Sequence, residues 1–287
     1  MSSSEYGQLR PDAVTGRRAA KQHASSIIRL SQAFMQGLHR RSVLHTLSIV
    51  AGVLIWELVA HQFSGFILAP PGAVAVKLWD GIVSLELVDL YVHSLGHMVL
   101  GFLLAAAVAI PLGFSMGRND AVYQALDPLV SAIYAIPIIA FVPFIIIWFG
   151  LFFEGRVALV FLMCVFDMLL VIVAGARDID RHLLDVGRSF GARRWLSITG
   201  ILIPASLPFL FTAARIGVVR AVNAMITAEL FLATVNLGSY MMAAANRFDS
   251  ASLLAVVLIL CVTGLGLQEG VARLETRLLP WHVRGQS

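Results

Sequence analysis

Polar and ionisable side chains inside otherwise apolar stretches are the residues of this sequence best placed to do chemistry. Asp167, Arg220, Asn223 and Thr227 are four of them. A charged group in a lipid-spanning helix is costly and faces a cavity or a partner. At about 100° per residue, Arg220, Asn223 and Thr227 fall within roughly 60° of one another and share one helix face. Arg215 and Glu229 share the roughly opposite face, about 21 Å apart along the axis. Two readings of Arg220 stand side by side. With Asn223 it lines a solute path and favours an anionic or polar solute; or it closes an ion pair with Asp167 within the bundle, or snorkels. His93 and His97 stand at i and i+4, a spacing that can hold a metal ion on one helix face. Lacking a third ligand nearby in sequence, they read as polar residues at a helix end, as do Glu57 and His61. A phosphate-cradling loop needs a Gly-Lys pair; Lys21 follows Ala20 and Lys77 follows Val76, so the chain has none. No Ser-His-Asp or Cys-His order with supporting context is present either. Cys164 and Cys261 lie in apolar runs and read as small core residues. The expectation is a chain with no catalytic residue, metal or cofactor of its own.

Composition says what must hold these groups. Of 287 residues, 59% are hydrophobic and 13% charged, and the mean hydropathy is +0.84. A soluble globular chain is about 45–50% apolar and about 25% charged. One water-facing core cannot hide this much apolar surface, so a soluble enzyme, a nucleic-acid-binding domain and a disordered scaffold are excluded. A bilayer core about 30 Å thick takes roughly 20 apolar residues in a helix. Six stretches qualify: Val43–Phe63, Val92–Met116, Leu129–Phe149, Val157–Ala174, Leu207–Leu230 and Ser252–Leu267. Strand alternation at barrel length is absent, so the fold class is an all-α polytopic membrane protein of six transmembrane helices. Pro137 and Pro143 would kink or interrupt the third. Sixteen basic residues fall before the first span, in alternate loops and in the C-terminal tail, against Lys77, Arg156 and Arg247 on the other side. That asymmetry predicts both termini in the cytoplasm. It also accounts for the +4 net charge without a nucleic-acid partner. Residues 1–41 form a polar cytoplasmic tail with no apolar core of a signal peptide, 42–280 the membrane domain, and 281–287 a second tail.

The loop 175–204 is the longest internal one on the arginine-rich side. Asp178 and Asp180 open a helical stretch whose Leu183, Leu184, Val186 and Phe190 make an apolar stripe. Gly191 permits a sharp turn, and a second amphipathic segment from Trp195 stops at Pro204. Within it, Asp185-Val186-Gly187-Arg188-Ser189-Phe190-Gly191, nine residues, then Ile201-Leu202-Ile203-Pro204, resembles the EAA loop of ABC importer permeases. That pattern is Glu-Ala-Ala, three residues, Gly, nine residues, Ile, any residue, Leu-Pro. The spacing matches throughout; Gly191, Ile201 and Pro204 match in identity, while Asp185, Val186, Gly187 and Ile203 are substitutions. The resemblance runs from Leu68 to Trp281 and is closest to the nitrate, sulfonate and taurine branch of the binding-protein-dependent type I (MetI-like) importers. Leu68-Ala69-Pro70-Pro71, Asp127-Pro128-Leu129, Ala135-Ile136-Pro137, Val142-Pro143, Trp148-Phe149-Gly150 and Leu278-Leu279-Pro280-Trp281 carry it further.

The resemblance implies a loop helix that docks into a separate ATPase subunit, with Asp185, Arg188, Ser189, Phe190, Gly191, Ala192, Arg193, Ile201 and Pro204 forming the docking loop. It also implies two ATPase subunits that bind the ATP, a second permease protomer and an extracytoplasmic binding protein. Arg215 and Glu229 resemble residues common at those places in the branch, whereas position 220 is usually small or apolar there. The expected function is therefore the membrane subunit of an ATP-driven importer, with a small anion such as a sulfonate, nitrate or carboxylate as solute. An ion-gradient-driven transporter is the alternative. It would show duplicated halves with interrupted helices, and no such duplication is evident.

Overall fold

The structure, a computed structural model, describes residues 43–44, 46–63, 65, 67–180, 182, 186, 189–191, 196, 198–232 and 235–279. Both expected tails, 1–41 and 281–287, lie outside them. The chain divides into two units, residues 1–62 and 63–287. Of the first, the described part is residues 43–44 and one short apolar helix, α1 (Thr46–Gln62), along which His61 Nε2 and Glu57 Oε1 stand 3.0 Å apart.

In the second unit, α2 (Pro71–Val83) starts on a proline whose fixed φ suits a first helical turn. The long helix α3 (Glu86–Arg118) carries Glu86 and Asp89 in its first turn and Arg118 in its last, the charge order that complements its dipole. Asn119 then caps α4 (Asp120–Tyr134), its side chain accepting from the amides of Ala121 and Val122. At Ala135–Pro137 the helix breaks, because Pro137 has no N–H to continue the ladder. A short 3-10 turn, Ile138–Phe141, leads into α5 (Val142–Phe149), and the axis has turned by 89°. The expected third span is thus not straight. There follow α6 (Phe153–Asp178), α7 (Ile203–Phe231), α8 (Asn236–Asn246) and α9 (Ser250–Leu278). Asp249 caps α9. Partial burial would raise its carboxyl, but hydrogen bonds from Ser252 and the charge of Lys77 outweigh that and hold it below the usual carboxylate range.

Four of these helices, α3, α6, the helix Thr199–Phe231 and α9, are long and apolar enough to cross a membrane. The bent α4–α5 pair makes a fifth if it is one span. Helix ends run past the apolar stretches that the hydropathy marks. α9 continues from Leu267 to Leu278 with Arg273 paired to Glu269, since a helix keeps its backbone bonds on leaving the lipid.

The core is α3 against α6, with α7 across both. Gly101, Ala105, Ala109, Gly113 and Gly117 recur every fourth residue and are all buried. A Cβ on Gly113 would stand 2.6 Å from Ile172 Cγ2, and one on Gly117 2.5 Å from Ala176 Cβ. Lipid offers helices no hydrophobic drive to associate, so close backbone approach along a small-residue stripe is what holds this pair. Gly113→Leu is expected to wedge the helices apart. The overpacking cost of about 1–3 kcal/mol or more would be read as a lowered Tm in detergent.

Candidate functional site

Two places collect the polar residues that the sequence singles out. The first is at mid-span. Asp167 and Arg220 both lie near the middle of their helices, α6 and α7. Arg220 Nε pairs with Asp167 Oδ2, while the Tyr134 hydroxyl donates to Asp167 Oδ1 at 3.0 Å. Tyr134 is the last residue of α4 before the break, so the pair sits beside the interrupted helix. The Asp167 side chain is only 11% exposed, but that of Arg220 is 47% exposed. Further along α7, Asn223 is exposed and Thr227 half-buried, with the Thr227 hydroxyl donating to the Asn223 carbonyl at 2.7 Å. Asn223 also lines a groove of about 480 Å³ between α7 and α9, with Ile226, Leu260, Cys261 and Gln268. All four expected path residues thus lie on or against one face of α7, and the ion pair of the second reading is present.

The second place is the loop. Of the expected docking residues, Asp185, Arg188, Ala192 and Arg193 lie outside the described residues. The amide of Phe190 donates to the Val186 carbonyl at 3.2 Å, one helical turn back, and Gly191 follows with φ +76°. A left-handed glycine of this kind commonly ends a helix. Phe190 is 89% exposed. Past the turn, a π-helical turn at Ile198–Leu202 runs directly into α7. This corrects the expectation that the second segment stops at Pro204. The proline lies where that turn joins α7, and the helix continues through it. At the other end of the loop, Arg118 Nη1 donates to the carbonyls of Ala176 (3.2 Å) and Ile179 (3.1 Å). Arg177 lies 4.0 Å over the Tyr123 ring and 3.8 Å from Asp120. These contacts anchor the point where α6 hands over to the loop. Arg215 pairs with Glu275 of α9, close to the middle of α7.

A third cluster was not anticipated. Glu229, near the end of α7, is fully buried. It accepts from Ser94 Oγ (2.6 Å), Asn236 Nδ2 (3.0 Å) and the Gly238 amide (3.0 Å), tying α7 to α3 and to the start of α8. His97 is equally buried, 3.9 Å from Glu229 and edge-on to Phe153. His93 is exposed, its Nδ1 2.9 Å from the Asp89 carbonyl. The two histidines therefore meet different surroundings, and His97 is a bundle residue rather than a helix-end one.

Long apolar helices, with a charge pair midway along two of them, describe a polytopic membrane protein. The chain belongs to the family of binding-protein-dependent transport system inner membrane components, whose model matches residues 109–278, more than half its length. It is similar to the taurine transport system permease protein of Escherichia coli K12, at 27% identity over 85% of this chain and 92% of the relative. The riboflavin transport system permease protein of Chloroflexus aurantiacus is 30% identical over 80% and 86%. The formylaminopyrimidine transport permease protein of Halalkalibacterium halodurans is 27% identical over 82% and 94%. The chain is thus an ABC transporter permease of the nitrate, sulfonate and taurine branch, a multi-pass inner-membrane transport subunit and not an enzyme.

Proposed function

We propose that this protein is the translocation subunit of an ATP-driven importer for a small solute with an acidic group, such as a sulfonate, nitrate or carboxylate. Six spans, α1 and the bent α4–α5 pair among them, place both termini in the cytoplasm. Two protomers, identical or paralogous, enclose the path, and an extracytoplasmic binding protein delivers the solute. Two ATPase subunits bind the ATP and dock on the loop from Asp185 to Pro204. Their closure draws the loops together and rocks the spans from inward-open to outward-open. Similarity to permeases named for taurine and for aliphatic sulfonates supports the solute class.

The observation that carries the path is the Arg220–Asp167 pair, half-exposed at mid-span on the α7 face that also presents Asn223 and Thr227. Lipid does not accept such a face, so water, solute or the second protomer must meet it. Uptake by the assembled transporter tests it. Arg220→Ala is expected to reduce the rate at least tenfold, and Arg220→Lys to restore part of it, because lysine keeps the charge but not the planar fork. Unchanged kinetics in both variants would remove Arg220 from the path.

A further inference from the structure

We infer that a surface groove along the α3–α6 pair is a site for one phospholipid with an ammonium headgroup, its acyl chain in the groove and its ammonium on Glu154. The groove, of about 580 Å³, is lined by Leu100, Leu104 and Val108 of α3 and by Val157 and Phe161 of α6, with Phe149 of α5 beside them. The three α3 residues are four apart and form one row along that helix. The two helices run in the same direction. A Cβ on Gly101 would stand 2.6 Å from Val160, and one on Gly113 2.6 Å from Ile172. Glu154, in the first turn of α6, thus lies at the end of the groove where both helices begin, and it is the charged residue of the lining. Its side chain is exposed and has no hydrogen-bond or ion-pair partner among the described residues. Exposed Trp148, at the close of α5, marks the same end, and tryptophan favours the membrane–water interface. The apolar stretch of α6 starts only at Val157, about 5 Å further along the axis. The groove therefore has a carboxylate at headgroup level and then an apolar wall that spans about 12 Å from Leu100 to Val108. That is the polarity of a phospholipid in its leaflet. Charge selects among lipids. A carboxylate at a poorly screened rim attracts an ammonium and repels a headgroup whose only charge is its phosphate. The rim is fixed in place, because Gly150 turns the chain with φ +73° and its carbonyl lies against the position a Cβ on Gly155 would take. An acidic first-turn residue also suits the helix dipole, but one that served the dipole alone would not distinguish headgroups.

The test is native mass spectrometry of the full chain, equilibrated in mixed micelles with equal amounts of phosphatidylethanolamine and phosphatidylglycerol of identical acyl chains. Wild type should retain one lipid per chain and favour phosphatidylethanolamine at least about fivefold. Glu154→Gln, a change at an exposed position, should bring the two lipids to near parity. Glu154→Lys should turn the preference toward phosphatidylglycerol. Ala158→Trp, which fills the groove from α6, should lower retention of both lipids at least about fivefold. Equal retention of the two lipids by wild type, or a preference that Glu154→Gln and Glu154→Lys leave unchanged, would overturn the inference. So would a lipid-free dimer that Ala158→Trp splits into single chains, since the groove would then belong to a second copy.

Discussion

Replacing Glu229 by alanine is expected to lower Tm by about 10 °C or more, the largest stability effect of any single change considered. The carboxylate is fully buried and is the shared acceptor of three donors. Ser94 can fall back on the Leu90 carbonyl, 3.0 Å away, but Asn236 and the Gly238 amide lose their partner. Each buried donor left unsatisfied costs about 1–3 kcal/mol, and at a few degrees per kcal/mol the loss is easily seen in detergent. α8 is also pressed against this residue, since a Cβ on Gly238 would stand 2.6 Å from Glu229 Cβ. Glu229→Leu separates the causes by filling the space without offering an acceptor. It should be nearly as damaging as alanine. A Glu229→Leu protein that melts within about 2 °C of wild type would mean that packing, and not hydrogen bonding, is what matters here.

Phe190→Asp is expected to reduce ATP-driven uptake at least tenfold while leaving Tm unchanged. The side chain is 89% exposed at the tip of the loop, so the fold of a single chain loses nothing with it. A large exposed aromatic beside a turn is the kind of anchor that dominates an interface, where its loss commonly exceeds 2 kcal/mol. Gly191→Trp should act at the same place for two reasons. The backbone there has φ +76°, which costs a non-glycine residue about 1–2 kcal/mol. An added Cβ meets nothing within 4 Å, so the bulk projects outward toward whatever docks. A lowered Tm in Phe190→Asp, or full uptake in both variants, would place the coupling elsewhere.

What could be read from the residues alone follows the range of the interactions involved. The docking loop is an expectation that rests on a local signature, a fixed spacing of Gly191, Ile201 and Pro204. The long helices were legible because hydropathy integrates over some 20 residues. The Arg220–Asp167 pair could be weighed in advance because a charge inside a span demands a partner and Asp167 is the acid of the neighbouring span. The break in α4 was signalled by Pro137, but its 89° turn depends on the helices packed around it. Tyr134 escaped notice because an aromatic at a helix end has many ordinary reasons to be there. The Glu229 cluster joins residues separated in sequence by up to 135 positions, and no periodicity encodes that. α8 was missed because eleven mixed residues are too few for a hydropathy window. The small-residue stripe of α3, by contrast, is plain in the sequence once a four-residue interval is sought.

The central claim is that this membrane subunit is driven by a separate ATPase through the loop that ends α6 and begins α7. The most direct test is to purify the detergent-solubilised chain from its host's membranes, wild type beside Gly191→Trp, and identify what accompanies it. The account predicts an ATPase subunit with wild type and at least a tenfold loss of it with the variant, at equal permease yield. Wild type that brings down no ATPase, or a variant that retains it in full, would contradict the account.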